Sequence, residues 1–243
     1  MIRRSFCFLP GCSENLEKSI WSQGVRDWQG FLEREHIKGI SKKRKAFYDR
    51  RILEAREHLD NGDCTYFRDI PSRLYEDFRQ EAIYLDIEAS VHDKGFITVV
   101  GIYDGRDVMQ FVKSINLDWQ EIARIISRSK LIISFNGSSY DLPKLVRDRP
   151  LPDLPHLDLR HACRRAGLSG GLKEIEKQLG IRRDPAAAAV GGGDPYRLWQ
   201  RWRATGDKDY LDLLLKYNEE DCVNLEMIAR KLLVSHPNNY ILV

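Results

Sequence analysis

Four carboxylates and one tyrosine stand where they could do chemistry. Asp86-Ile87-Glu88 closes the stretch that begins Ala82-Ile83-Tyr84-Leu85, whose aliphatic, aromatic and β-branched residues read as a β-strand. Side chains alternate along a strand, so Ile83, Leu85 and Ile87 share one face, and Tyr84, Asp86 and Glu88 the other. Two acids side by side in an apolar setting stay ionised together only if a positive charge sits between them. A divalent metal is one answer; a solvated strand end is the other. A third acid, Asp141, lies in Asn136-Gly137-Ser138-Ser139-Tyr140-Asp141-Leu142-Pro143. It reads either as a site residue or as a helix start ahead of Pro143. The fourth, Asp221, falls on the apolar stripe of a long helix with Asn218, and Tyr217 precedes it by one turn. An aspartate on such a stripe needs a partner or a metal.

The elements that must carry these residues follow from periodicity and turn chemistry. Residues 1–75 read as a helical extension. Ser13, Asp27 and Ser41 are N-caps, Gly24 is a stop, and Trp28, Phe31 and Leu32 are core rather than stacking surface. The third helix opens on Lys42-Lys43-Arg44-Lys45, against its dipole. These cations either grip a phosphate backbone or form a solvated face. Residues 76–243 read as a mixed α/β unit. After the opening strand come strands at Phe96 to Tyr103 and Val108 to Val112, joined by a turn at Asp104-Gly105-Arg106-Asp107. Asp118 caps a helix with Ile122, Ile125 and Ile126 on one face. Leu131 to Phe135 is apolar throughout and suits a buried parallel strand, and its C-terminal end is where ligands gather in open α/β sheets. A helix starts near Leu142, a short strand spans His156 to Leu159, and the remainder is helical except for Asp184 to Pro195. The last helix runs from Asp207 to about Val234. Such an order makes a mixed sheet flanked by helices.

Composition sets limits. The chain has 243 residues, 42% hydrophobic and 31% charged, with net charge +3, as in an ordinary globular protein that tolerates a polyanionic partner. Its apolar runs are too short to span a membrane, and the N-terminal residues make a poor signal peptide. The five scattered cysteines contain no C-x-x-C, which disfavours a zinc site and a disulfide framework and fits reduced thiols in a cytoplasmic protein. Asp158 reads as structural, Leu198, Trp199 and Trp202 as core, and Gly191-Gly192-Gly193 as a mobile linker rather than a P-loop. Arg160, Arg164 and Arg165 are either phosphate contacts or a solvated helix face.

Asp86-Ile87-Glu88, Asn136-Gly137 with Tyr140-Asp141, and Tyr217-x-x-x-Asp221 resemble, in order and spacing, the three motifs of the DEDD 3′→5′ exonucleases. Tyr217 resembles that family's tyrosine (DEDDy) subtype. His156-Leu157-Asp158-Leu159-Arg160, Leu172-Lys173-Glu174-Ile175-Glu176, Leu198-Trp199 and Tyr217-Asn218-Glu219-Glu220-Asp221 are similar to the YprB-like group of ribonuclease H-like proteins. The resemblance covers roughly residues 80–234, and the segment Gly11 to Leu32 is similar to that group's helical lead-in.

The resemblance implies a ribonuclease H-like fold and two divalent cations, magnesium or manganese. Asp86, Glu88 and Asp221 would hold one ion, Asp86 would share the second, and Asp141 would hold the second largely through water. Such ions prefer oxygen ligands, and a pair about 4 Å apart suits in-line phosphodiester displacement. Tyr217 would orient the attacking water, and Asn136, Tyr140 and Arg160 would touch substrate. The implied activity is 3′→5′ exonucleolytic hydrolysis of single-stranded DNA or RNA with a free 3′ end, releasing nucleoside 5′-monophosphates, in a setting such as DNA repair. The alternatives are a structure-specific endonuclease on the same fold and a non-catalytic nucleic-acid-binding adaptor for a helicase.

Overall fold

The computed structural model describes residues 2–90, 95–148, 150–190 and 194–234. Its centre is a five-stranded sheet in the order β3-β2-β1-β4-β5, comprising β1 (Ala82–Ala89), β2 (Ile97–Tyr103), β3 (Val108–Val112), β4 (Leu131–Ser134) and β5 (His156–Asp158). β1 runs antiparallel to β2 and parallel to β4, so the sheet is mixed. The alternation read in β1 holds: Ile83, Leu85 and Ile87 enter one core with Ile122 and Ile126, whereas Tyr84 enters the opposite core with Leu225 and Ile228. Two helical layers therefore cover the sheet. α5 (Trp119–Ser127) and α6 (Asp141–Asp148) lie on one face, and α7 (Leu159–Arg165), α8 (Leu172–Gln178) and α11 (Lys208–Leu233) on the other.

The polar start signals act as caps. Asp118 accepts N–H bonds from Gln120 and Glu121, and Asp207 accepts one from Asp209, satisfying donors that a first helical turn leaves open. One stretch departs from expectation. Within Asp184 to Pro195, Pro185–Ala189 forms a short helix (α9), with Asp184 as its cap and the proline in its first turn, and α10 (Asp194–Thr205) begins before Pro195. Alanine and a first-turn proline both favour helix, but five residues are too few to display a period. The glycines at 191–193 lie outside the described residues. Leu198, Trp199 and Trp202 pack on Val99, Val112 and Leu214, as core.

The N-terminal helices α1 (Glu14–Ser22), α2 (Trp28–Leu32) and α3 (Lys42–Asp60) enclose their own aromatic core, in which Phe6, Trp28, Phe31, Tyr48 and Phe67 are buried. Two cations of the basic run are employed there. Arg44 donates to Tyr48 Oη and to the Gly11 carbonyl, both at 2.7 Å. Lys45 is buried, ion-paired to Asp49 at 2.6 Å and 4.8 Å from the Phe31 ring centroid. α4 (Pro71–Phe78) belongs to both cores: Leu74 and Phe78 face the helices, while Tyr75 faces the sheet and its hydroxyl meets that of Tyr84 at 3.1 Å. All five cysteines are free. Among the described residues no helix is long and apolar enough to cross a membrane.

Candidate active site

The end of β1 presents Asp86 and Glu88 to α11. One ligand oxygen from each, with one from Asp221, all lie within 4.8 Å of one another. Three hydrogen bonds hold α11 at this height. Asn218 Nδ2 donates to Asp86 Oδ2 at 3.0 Å, and Gln110 of β3 donates to the Leu215 carbonyl at 2.7 Å and to Asn218 Oδ1 at 3.0 Å. The close approach depends on Gly101, which pairs with Asp86 across the β1–β2 ladder. A Cβ there would overlap Asn218 Oδ1 and stand 2.7 Å from Cys222 Sγ.

Asp141 reaches the cleft through a strained loop. Asn136 adopts φ 64°, a left-handed conformation that asparagine tolerates better than most residues. The loop folds over Asp158, whose oxygens accept the Asn136 N–H at 2.8 Å, the Ser138 N–H at 3.1 Å, the Ser138 hydroxyl and the Arg160 N–H at 3.0 Å; Asp158 is structural. Gly137 must lack a side chain, because a Cβ would overlap Ser134 Oγ. Asp141 is the first residue of α6, and its Oδ1 accepts the Ile87 N–H at 3.2 Å. It stands outside the three-carboxylate cluster but lines the same cleft.

That cleft, of about 200 Å³, is walled by Asp86, Glu88, Asp141 and Asp221 together with Phe135, Asn136, Tyr140, Pro195, Tyr196 and Tyr217. Enclosure, then the charges of neighbouring acids, holds Asp86 and Glu88 well above the usual carboxylate range. Burial pushes Asp141 up to about 7 against the pull of the Ile87 N–H, and Asp221 up to about 6 against the pull of Arg183. Burial and the Asp221 charge raise the Tyr217 phenol further above its ordinary value, so it stays protonated at neutral pH. Such crowding of anions favours a cation among them. The donors are all oxygens, and Asp221 Oδ1, although 2.5 Å from Arg183 Nη2, makes no aligned hydrogen bond. The residues fit a hard divalent ion.

A family model described as the RNase_H superfamily matches residues 83–233. The chain belongs to the RNase_H superfamily. Among solved structures, this RNase_H-superfamily chain is similar to the family B DNA polymerase from the hyperthermophilic archaeon Pyrobaculum calidifontis, with TM-score 0.50 and 17% identity over 63% of this chain and 24% of that one. It is also similar to Escherichia coli RNase D, an exoribonuclease involved in structured RNA processing, with TM-score 0.38 and 16% identity over 70% of this chain and 48% of that one. The chain thus spans about a quarter of the polymerase's length and about half of RNase D's. No curated protein matches the sequence.

The superfamily fold brings Asp86, Glu88, Asn136, Tyr140, Asp141, Tyr217 and Asp221 to one cleft. Arg160 does not line it. Its guanidinium donates to Asn136 Oδ1 at 2.5 Å, and it lines an adjoining cavity of about 440 Å³ with Phe135 and Arg164. Arg165 lies 3.8 Å from Glu14. Sequence reasoning missed Tyr196, which stacks on Trp199 at 6.1 Å beside the carboxylates. It also missed Arg183, whose Nη2 lies 2.5 Å from Asp221 Oδ1. No local pattern marks either residue. Glu176, which holds Arg183, did stand in the Leu172-Lys173-Glu174-Ile175-Glu176 stretch that carries the family resemblance, though without a role.

Proposed function

We propose that this RNase_H-superfamily chain is a divalent-metal-dependent 3′→5′ exonuclease acting on single-stranded nucleic-acid ends and releasing nucleoside 5′-monophosphates. We assign it to the tyrosine subtype of the DEDD exonucleases and to the YprB-like group, with residues 1–75 as a helical extension and 76–243 as the nuclease domain. The observation that carries the reading is the convergence of Asp86, Glu88 and Asp221 within 4.8 Å, beside Asp141 and Tyr217.

Asp86, Glu88 and Asp221 would hold one magnesium or manganese ion, and Asp141 would help hold a second. Bound ions would polarise the phosphodiester and stabilise both the attacking and the leaving oxygen. The chain's own part is placement. Asn218 keeps Asp86 from rotating, and the protonated Tyr217 offers a hydroxyl that orients a water rather than removing its proton. Tyr140 is exposed at the rim, with Lys144 Nζ over one face of its ring, and its other face would meet an unpaired base; Tyr196 is buried against Trp199 and shapes the wall. Arg160 would act on substrate through Asn136. A helicase as recruiting partner fits the same reading.

The test uses 5′-labelled single-stranded DNA and RNA with manganese, comparing wild type with Asp86→Ala. A ladder shortening from the 3′ end and absent in the variant is the expected outcome. Internal cuts would favour an endonuclease, and indifference of every substrate to manganese would favour an adaptor. Activity that survives Asp86→Ala would sink the metal assignment.

A further inference from the structure

The carboxylate cluster has a cation built into its wall. Arg183, between α8 and α9, places Nη2 2.5 Å from Asp221 Oδ1. The same guanidinium is gripped from behind: Nε and Nη2 meet the two oxygens of Glu176 at 2.5 and 2.6 Å. Glu176 Oε1 also accepts Asn224 Nδ2 at 3.0 Å, and Asn224 lies one turn beyond Asp221 on α11. The four residues therefore close a ring, from Asp221 to Arg183 to Glu176 to Asn224 and back along the helix. The side chains of Arg183, Glu176 and Asp221 are 5%, 2% and 7% exposed.

A buried ion pair is a poor way to stabilise a fold, since desolvation offsets most of the attraction and apolar side chains of similar volume do as well. Its position explains it better. Asp221 shares the cleft with three other acids, and repulsion alone would turn it outward. The Arg183 contact opposes that turn without saturating the carboxylate: Asp221 Oδ1 has no aligned hydrogen bond, and Arg183 Nη1 is buried without a partner. The oxygen is held in place yet keeps a lone pair to give.

We propose that Arg183, anchored by Glu176, is a positioning residue that fixes Asp221 beside Asp86 and Glu88 before any metal ion binds. This rests on the reading of the cluster as a metal site. The fork matters as well as the charge, because one planar guanidinium spans both carboxylates and a lysine ammonium cannot. Groups that orient metal ligands in this way commonly set affinity by about 10–100-fold.

Manganese titration of the full chain, read by the electron paramagnetic resonance signal of free ion, tests this without reference to activity. Wild type should take up manganese and Asp86→Asn should not; a wild type that takes up none overturns the metal reading and this inference with it. Because Arg183→Met alone would strand Glu176 as a buried unpaired charge, it is paired with Glu176→Gln. The double variant should bind manganese about 10–100-fold more weakly, and Arg183→Lys should fall between it and wild type. Wild-type or tighter affinity in the double variant would show that Arg183 only competes for the ion's seat, and Arg183→Lys equal to wild type would show that the fork is irrelevant. Either result overturns the proposal. Should the double variant fail to fold, Arg183→Lys decides alone, with its metal-free melting temperature as the control for packing.

Discussion

Asp141 and Asp221 hold their protons to about pH 7 and about pH 6, far above an aspartate's ordinary 3.8. Both values are raised on folding, so their stabilising contribution is complete below about pH 4 and is lost as pH rises through 6 and then 7. These two groups should therefore lower the melting temperature of the metal-free chain between pH 4 and about 7.5, against the opposite contribution below pH 6.5 of His156, whose pKa is depressed by burial. Magnesium or manganese should restore more stability at the top of that range than at the bottom. Asp141→Asn should flatten the upper part of the fall, and differential scanning fluorimetry across pH measures all three. Tyr217→Phe keeps the buried ring and removes the hydroxyl. It should lower kcat by about 10–100-fold while leaving manganese affinity within a fewfold of wild type; an unchanged kcat would remove Tyr217 from the chemistry. Asp86, Glu88 and Asp221 stood out because carboxylates on an apolar strand or stripe violate local pattern, whereas Asp141 read as well as a helix start, which it also is. Arg183 did not stand out, because an arginine in a loop violates nothing until the fold sets it against Asp221, 38 positions later.

At the scale of elements, the site is a fit between β1 and α11, and Gly101 sets how close they come. Replacing a strand glycine by alanine ordinarily gains about 0.5–1 kcal/mol. Here the added Cβ would overlap Asn218, and overpacking of that kind costs about 1–3 kcal/mol. Gly101→Ala should therefore lower the urea midpoint and weaken manganese binding together, because α11 must retreat and carry Asp221 with it; a stabilised variant would contradict this packing. Most elements could be read in advance for local reasons. Ser13, Asp27, Ser41 and Asp118 all cap the helices assigned to them, and β1 and β4 display their burial in alternation and in an unbroken apolar run. What escaped notice depends on tertiary context. Gly101 looks like a weak strand residue until α11 lies over it, and Asn136-Gly137 reads as a turn without showing that Asp158 gathers the loop.

Across the whole molecule, the helical extension and the sheet are joined by shared parts. α4 contributes to both cores, Cys64 Sγ donates to the Lys130 carbonyl at 2.9 Å, and Lys130 Nζ donates to the Gly62 carbonyl at 2.7 Å. A helix packed into both cores should make them unfold together. Trp28, buried in the N-terminal core, should accordingly report the same thermal midpoint as circular dichroism of the whole chain, and metal bound to the far site should raise both equally. A Trp28 signal that melts early and ignores metal would show two independent units. The link between β1 and α11 has a consequence for synthesis. The Asn218–Asp86 bond joins residues 132 positions apart, and Asp221 arrives on the last described helix. A ribosome making this chain would expose β1, its acids and most of the sheet well before that helix emerges. Until α11 docks, the nascent chain holds Asp86 and Glu88 without Asp221, so the three-carboxylate cluster forms only once that helix has emerged.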